Sequence, residues 1–262
     1  MLRLKKSLGQ NFLIDKNIIN KIISVENLKN QNIFEIGPGS GNLTDFIVKE
    51  KPKKIVLIEK DERFCKLLSE KYSNKNIKIE SKDILKYNLD EIIFDNAIIF
   101  GNLPYNISTQ ILVNFINIKK WPPFYKKIVF MFQKEVADRI LAKPNTKEYG
   151  RLAILVNFRL DIIKSFKISK NCFFPKPEID SKIVVFEPKK ELNHKIVNIK
   201  NLEKITNIFF SNKRKMINKS FKKVFKEYKY VAKKLNINLN LRPSDLQPED
   251  FYRLVEYYEK IK

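Results

Sequence analysis

Four consecutive residues, Asn102-Leu103-Pro104-Tyr105, place an amide, a rigid backbone and an aromatic ring directly after the apolar run Ala97 to Phe100. That run predicts a buried strand, and open α/β sheets bind ligands at the carboxyl ends of their strands. There the Asn102 amide oxygen can accept from an exocyclic amine, Pro104 can stiffen the turn, and Tyr105 can stack on a flat ring. The four residues predict a site that modifies a nucleobase, although Asn and Pro are also ordinary turn residues.

A glycine-rich loop, Glu35 to Gly41, follows the first predicted strand and leads into a predicted helix. Its glycines permit a tight turn and the close approach of a ligand, and the N–H groups at a helix start favour electronegative atoms. A hydride-transfer enzyme is the natural competitor for such a loop. Asn42 replaces the third glycine of the dinucleotide fingerprint, however, and the chain has no histidine cluster suited to that chemistry.

Two acidic residues follow the next two predicted strands. Glu59 lies 22 residues beyond Gly37, where a carboxylate can accept from both hydroxyls of an unphosphorylated ribose, and Asp83 can accept from an adenine amine. Each acid alone is more typical of a solvated turn. Because loop and acids end successive strands, together they predict one pocket for an adenosine-containing cofactor, and S-adenosylmethionine fits since no further pyrophosphate site is evident.

Apolar runs between polar turns predict the elements that hold these residues. The predicted strands are Ile33 to Ile36, Lys54 to Glu59, Ile77 to Glu80, Ala97 to Phe100, Lys127 to Phe132, Leu152 to Phe158 and Lys182 to Phe186. The predicted helices between them are Thr44 to Lys51, Asp61 to Tyr72, Thr109 to Ile118 and Lys134 to Lys143. The alternation indicates an α/β fold with a mostly parallel, doubly wound, Rossmann-like sheet, whose last two strands we expect to be antiparallel.

The two ends of the chain predict further helices. Asp15 is a good N-cap for a helix with an isoleucine face, and the preceding segment, Lys6 to Leu13, is a candidate lid. Beyond Pro188 a basic amphipathic helix is predicted over Ile217 to Leu235, and a second over Pro248 to Lys260. We therefore expect a catalytic domain over residues 1–187 and a small, helical, basic RNA-binding domain over residues 188–262.

Positive charge is high and clustered. The chain has 52 basic and 29 acidic residues, a formal net charge of +23, with ten basic residues and one acid between Ser211 and Lys234. Nucleic acid is the commonest partner for such a surface, and a solvated face is the alternative. The candidate RNA-binding residues are Lys213, Arg214, Lys215, Lys219, Lys222, Lys223 and Lys226.

Composition excludes several other classes. Two cysteines, Cys65 and Cys172, form neither a disulfide framework nor a paired metal-ligand spacing. The one histidine, His194, disfavours histidine triads and histidine-metal sites, so no metal is expected. No apolar stretch reaches about 18 residues, and Met1 to Lys6 lacks the apolar region of a secretory signal. We expect a reduced, cytoplasmic protein without membrane contact.

Six motifs in a fixed order carry a resemblance to a known family. They are Gln10 to Leu13, Glu35 to Gly41, Asn102 to Tyr105, Phe132 to Arg139, Tyr149 to Leu152 and Phe173 to Ser181. On these residues the chain resembles the small-subunit ribosomal RNA adenine N6,N6-dimethyltransferases from about Lys6 to Phe186, and weakly beyond. The resemblance implies a class I methyltransferase that uses S-adenosylmethionine to dimethylate N6 of two adjacent adenosines near the 3′ end of small-subunit rRNA.

The resemblance also implies roles for individual residues. The cofactor pocket would be lined by Asn11, Leu13, Gly37, Glu59, Asp83 and Asn102. Asn102 and the Leu103 carbonyl would hold the target amine in the turn that Pro104 stiffens, Tyr105 would stack on the base, and Phe173 would cover its other side. We expect a monomer that acts on a pre-30S-type particle.

Two alternatives stay open. A large-subunit rRNA adenine N6-methyltransferase shares the cofactor pocket and the amine-holding turn, but Pro38, Leu103 and the Phe173 to Ser181 segment follow the small-subunit pattern. A non-catalytic rRNA-binding assembly factor is the other alternative. Glu59, Asp83 and Asn102 are all present, which argues against a loss of catalysis.

Overall fold

The computed structural model describes residues 11–73, 76–92 and 95–262. Its contacts divide the chain into two compact units. The first takes residues 1–137 and 162–188, and the second takes residues 138–161 and 189–262. Lys6 to Gln10, part of the candidate lid, lie outside the described residues.

Short strands and helices alternate through the first unit, and helices dominate the second. The strands are β1 (Phe12–Leu13), β2 (Asn32–Ile36), β3 (Lys54–Glu59), β4 (Ile77–Ser81), β5 (Ala97–Asn102), β6 (Tyr125–Gln133), β7 (Leu160–Ile168), β8 (Phe173–Phe174) and β9 (Ser181–Pro188). The helices are α1 (Lys16–Ile23), α2 (Thr44–Lys49), α3 (Glu62–Lys71), α4 (Ser108–Ile116), α5 (Lys134–Leu141), α6 (Arg151–Arg159), α7 (Ile199–Phe210), α8 (Asn218–Val224), α9 (Tyr228–Lys234) and α10 (Pro248–Lys260). Within the described ranges, none of these helices has the length and apolar character needed to cross a bilayer.

A seven-stranded sheet organises the first unit, in the order β4-β3-β2-β5-β6-β9-β7. Neighbours from β4 to β6 are parallel, whereas β6 and β9 are antiparallel. The predicted α/β fold with a mostly parallel, doubly wound sheet is therefore confirmed. Strand order reverses between β2 and β5, which is where sheets of this kind form a crevice for a ligand.

Burial explains why the central strands lack a polar face. Ile98, Ile99 and Phe100 on β5 have no solvent exposure, and Leu57 on β3 has none either. Helices cover both faces of a parallel sheet, so these strands carry Ile, Val, Leu and Phe continuously. The same apolar runs allowed the five parallel strands to be predicted from the sequence.

The N-terminal segment is held by a two-stranded ribbon. β1 pairs antiparallel with β8, with Phe12 opposite Phe174 and Leu13 opposite Phe173. The chain then enters α1, where the Asp15 carboxylate accepts from two backbone N–H groups, as predicted for an N-cap.

Two predictions about secondary structure were wrong, and one strand was missed. Leu152 to Phe158 is not a strand but most of α6, a helix so completely buried that its apolar run has no amphipathic period. The true strand β7 follows it directly, and it was missed because most of its side chains are exposed. The helix predicted over Ile217 to Leu235 is two helices, because Phe225 adopts an extended backbone between α8 and α9.

The second unit also draws residues from the middle of the chain. Residues 138–161, placed by the sequence within the first domain, cluster with the C-terminal helices. The Tyr252 hydroxyl on α10 donates to the Ile154 carbonyl at 2.9 Å, and the rings of Phe158 and Tyr252 lie 5.1 Å apart. The contacts thus place α6 outside the sheet-containing unit. No change in amino-acid composition marks this boundary in the sequence.

Candidate active site

One cavity lies at the carboxyl ends of the central strands, where strand order reverses. β2 runs into the glycine loop and β5 ends at Asn102, and their partners Ile36 and Gly101 are in register. The predicted residues that line this cavity are Asn11, Leu13, Gly37, Glu59, Asp83, Asn102, Leu103, Pro104 and Tyr105. The structure therefore brings the proposed cofactor residues and the amine-holding turn into one place.

The glycine loop is compact because three of its residues have positive φ. Gly37, Gly39 and Gly41 have φ values of 65°, 55° and 84°. A Cβ at Gly39 would lie only 2.4 Å from an edge carbon of Phe12, and one at Gly37 would lie 4.0 Å from the Asn102 carbonyl. Glycine thus allows the loop to pass close to the N-terminal segment on one side and to β5 on the other.

Glu59 is the carboxylate at the end of β3. Its Oε2 accepts from the Gly39 N–H at 3.1 Å, and its Oε1 accepts from the N–H groups of Lys60 and Asp61 at 2.8 Å each. Burial raises the pKa of Glu59, and the three N–H donors oppose that rise. The carboxylate thereby fastens the glycine loop to β3, and Oε2 retains capacity to accept from a hydroxyl group.

Asp83 follows β4 and lines the same cavity. Its Oδ2 accepts from the Lys60 ammonium at 2.8 Å and its Oδ1 from the Leu85 N–H at 3.0 Å. The hydrogen bond from Lys60 holds the pKa of Asp83 below its usual range. Asp83 is therefore an ionised acceptor, suited to an amine, and its partner Lys60 was not identified from the sequence.

Asn102 has a defined amide orientation. Its Nδ2 donates to the Asn11 carbonyl at 2.9 Å, which turns Oδ1 away from that contact. A primary amide carries donors and acceptor on opposite atoms, so fixing the nitrogen also fixes the oxygen. The N-terminal segment thus presents the Asn102 oxygen as an acceptor.

Tyr105 is anchored at its hydroxyl group, which lies 2.7 Å from Ser181 Oγ at the start of β9. Burial raises the pKa of this phenol, so Tyr105 is neutral. The turn is closed by hydrogen bonds from the Ile107 N–H to the Pro104 carbonyl and from Ser108 Oγ to the Tyr105 carbonyl. These contacts hold the ring in place without using its faces.

Asn42 is a further positioning residue that the sequence did not identify. Its Nδ2 donates to the Leu13 carbonyl at 2.9 Å, and its Oδ1 accepts from Ser40 Oγ at 2.9 Å. Asn42 therefore ties β1 to the glycine loop. In the sequence, Asn42 was distinguished only as the residue that replaces the third glycine of the dinucleotide fingerprint.

Phe173 occupies a different place from the other predicted site residues. It is 3% exposed in the hydrophobic core, opposite Leu13, and it is not among the residues that line the cavity. Its neighbour Phe174 is 56% exposed. Covering of a base by Phe173 stays a prediction, and the geometry gives it no support.

The predicted RNA-binding residues lie in the second unit and are mostly exposed. Those exposed to solvent are Arg214, Lys215, Lys219, Lys222, Lys223 and Lys226. Lys213 differs, because its ammonium donates to the Lys147 and Tyr149 carbonyls at 2.5 and 2.6 Å. Lys213 therefore ties the segment that precedes α6 to the turn between α7 and α8. Its N–H groups are directed at these carbonyls and not at a phosphate.

Glu35 is a buried carboxyl beneath the glycine loop. Thr44 Oγ1 donates to its Oε2 at 2.8 Å. Burial raises the pKa of Glu35 to about 8, with smaller contributions from the nearby Asp45 and Glu59 carboxylates. Glu35 is therefore largely protonated at neutral pH.

Gly39→Ala should weaken cofactor binding by at least tenfold, because the new Cβ meets the Phe12 ring and the residue needs a positive φ. Calorimetric titration with S-adenosylmethionine measures this. Gly150→Ala is the matched control, since a Cβ there has its nearest neighbours at 3.9–4.0 Å. Equal affinity of Gly39→Ala and wild type would contradict the prediction.

Glu35→Gln should remove a pH dependence of stability. Between about pH 4.5 and about pH 8 the folded state holds a proton on Glu35 that the unfolded state releases. The free energy of unfolding of the wild type should therefore fall as pH rises through this window, relative to the variant. Urea unfolding at several pH values tests this, with the exposed Glu70→Gln as control. Parallel curves for wild type and Glu35→Gln would refute it.

Comparison with known proteins agrees with this geometry. The chain is 48% identical, over 98% of each sequence, to a ribosomal RNA small subunit methyltransferase A of Pelagibacter ubique (strain HTCC1062). A dimethyladenosine transferase from Plasmodium falciparum has a similar structure, with a TM-score of 0.78 and 26% identity, covering 95% of this chain and 98% of that one.

The fold is shared more widely. The 23S rRNA methyltransferase ErmE has a TM-score of 0.67 at 22% identity, over 95% of this chain and 99% of its own. Such a likeness establishes the class I methyltransferase fold. The profile of the ribosomal RNA adenine dimethylases matches residues 1–260, and the chain belongs to that family.

Proposed function

We propose that this protein transfers methyl groups from S-adenosylmethionine to N6 of two adjacent adenosines near the 3′ end of small-subunit rRNA. The observation that carries the proposal is Asn102, which lines the cavity beside the glycine loop and whose amide nitrogen is held by the Asn11 carbonyl. Family membership and the small-subunit relative support the same substrate.

The residues of the cavity fit the cofactor. Glu59 offers a carboxylate oxygen for a ribose hydroxyl, and Asp83 offers an ionised acceptor for an adenine amine. Gly39 lets the loop pass against the Phe12 ring, where a Cβ would clash at 2.4 Å. When bound, S-adenosylmethionine supplies an electrophilic methyl group on a sulfonium. Asn11 and Leu13 would close over it from the N-terminal segment.

The chemistry of an adenine amine explains why Asn102 is central. The N6 lone pair is delocalised into the ring, so the amine is a poor nucleophile. When the Asn102 oxygen and the Leu103 carbonyl accept its two hydrogens, the nitrogen is oriented with its lone pair toward the incoming methyl. No strong base is needed before attack, because the proton becomes acidic once nitrogen is alkylated.

Tyr105 would hold the base after it leaves its stack. Unstacking costs a few kcal/mol, and a stacked aromatic ring returns about 1 to 3 kcal/mol per base. The hydrogen bond between the Tyr105 hydroxyl and Ser181 keeps the ring fixed before RNA arrives. A fixed ring loses little conformational entropy on binding.

The proposal also covers the RNA contacts, the oligomeric state and the cellular location of the protein. The exposed basic residues of α8 would contact rRNA phosphates in a pre-30S-type particle. We propose a monomeric, cytoplasmic enzyme, consistent with its free cysteines, Cys65 and Cys172.

Labelled methyl transfer to purified small and large subunits, followed by mapping of the modified nucleotide, tests the function. Two dimethylated neighbouring adenosines in the small subunit are expected. Modification confined to the large subunit would establish the large-subunit alternative, and tight rRNA binding without any transfer would establish a non-catalytic factor.

Asn102→Ala should lower methyl transfer by about 10² to 10³-fold, the usual cost of removing one oriented group from a transition state. RNA affinity should stay within about twofold, because the phosphate contacts are untouched. Single-turnover transfer and filter binding give the two readouts. Asn20→Ala, an exposed amide on α1, is the control. Normal dimethylation by Asn102→Ala would exclude the assigned role.

Charge reversal of Lys219, Lys222 and Lys226 to Glu should weaken rRNA binding and flatten its dependence on salt. Each lost phosphate contact reduces the slope of log affinity against log salt by roughly 0.7 to 0.9. Affinities measured at several salt concentrations give that slope.

The control for this charge change reverses Lys49, Lys53 and Lys66, which are exposed in the first unit and absent from the cavity lining. It alters the net charge equally. If both triple variants show the wild-type slope, Lys219, Lys222 and Lys226 form a solvated face.

A further inference from the structure

We propose that Phe174 is a stacking platform for the base adjacent to the adenosine held in the cavity. This rests on the proposed function and assigns a residue that recognises the second nucleotide. Phe174 lies on β8, opposite Phe12 on β1. Directly opposed residues of an antiparallel pair point to the same face, with Cβ atoms about 4.5–5.5 Å apart. Phe12 lines the cavity, so Phe174 lies across the ribbon from a cavity-lining residue without lining the cavity itself.

Exposure separates Phe174 from the phenylalanine before it. Phe173 is 3% exposed and packs in the core, whereas Phe174 is 56% exposed. Successive strand residues alternate between faces, so burial of Phe173 directs Phe174 outward. Ile14, 51% exposed, continues the ribbon through its N–H donated to the Cys172 carbonyl at 2.9 Å. By alternation it shares the face of Phe12, which extends the apolar surface beside the cavity.

The charge around this surface suits a nucleotide. Lys16 and Lys176 are exposed and lie two residues from Ile14 and Phe174 respectively. Of the acids near these residues in the chain, Asp15 accepts from the Asn17 and Ile18 N–H groups, Asp180 is paired with Lys167 at 2.8 Å, and Glu178 is exposed. An exposed aromatic ring with exposed lysines near it in the chain can bind an unstacked base and its phosphates.

Geometry of the substrate explains why the adjacent base needs such a partner. Drawing one adenosine into the cavity separates it from its neighbour, which loses a stacking face. The cavity holds one base against Tyr105, so the neighbour remains outside it. Phe174 would replace the lost stack and set which of the two adenosines enters.

The experiment uses the full chain with Phe174→Ala, Phe174→Leu and Phe174→Trp on small subunits that lack the modification. Initial rates against subunit concentration and mass spectrometry of the modified fragment give kcat, KM and the methyl count on each adenosine. The Ala and Leu variants should lose about tenfold in kcat/KM through KM, and accumulate particles with only one modified adenosine. The Trp variant should stay within about twofold of wild type, because it keeps a flat ring.

Three further measurements separate stacking from other roles. The KM for S-adenosylmethionine and the melting temperature should be unchanged in every variant. Ile163→Ala on β7 removes a side chain of equal exposure, 54%, and should behave as wild type.

Wild-type kinetics of Phe174→Ala, or retention of activity by Phe174→Leu with loss in Phe174→Ala, would overturn the stacking role. An unchanged KM for small subunits, together with binding of Phe174 to a ribosomal protein, would also overturn the stacking role. A wild type that methylates neither adenosine would remove the proposed function and this inference together, whereas an active wild type with indifferent Phe174 variants would remove only the inference.

Discussion

The reversal of strand order between β2 and β5 is the constraint on which the site depends. Because Ile36 and Gly101 are in register, the residues that follow them, Gly37 and Asn102, emerge side by side. One of these ends turns into a loop that a cofactor can approach closely, and the other carries an amide for an amine. The two halves of a methyl transfer are thus adjacent before any ligand binds, on central strands whose apolar side chains are buried.

The N-terminal segment completes this arrangement. Its backbone carbonyls accept from two side-chain amides, Asn102 through the Asn11 carbonyl and Asn42 through the Leu13 carbonyl. Each hydrogen bond contributes only about 1 kcal/mol, but each also selects one of the two amide orientations. The β1–β8 ribbon keeps those carbonyls in place, so the acceptor at Asn102 depends on the pairing of two strands that lie far apart in the chain, Leu13 opposite Phe173. Preorganised polar groups of this kind do not have to reorient during the reaction.

Three carboxyl groups near the glycine loop have different electrostatic environments. Glu59 is surrounded by three backbone N–H donors, Asp83 is paired with Lys60, and Glu35 is driven toward the neutral form by burial. The difference follows from solvation, since a carboxyl with one hydroxyl partner cannot recover its hydration energy, whereas several N–H donors or an ammonium can. The hydrogen bond from Lys60 thus favours the ionised form of Asp83, whereas Glu35 adds little negative charge beneath the loop at neutral pH.

The sequence by itself determined the parallel strands, the glycine loop, Glu59, Asp83 and the Asn102 turn, because each is a local pattern whose meaning depends on residues close in the chain. Helix α6 and strand β7 could not be identified in this way, since a fully buried helix and an exposed edge strand both lack the usual periodicity. Only the tertiary structure showed that Phe173 is core and Phe174 surface, that Lys213 is bound to backbone carbonyls, and that Asn11 orients Asn102. Those facts depend on contacts between distant residues, and no spacing in a single chain encodes which partner a side chain will meet.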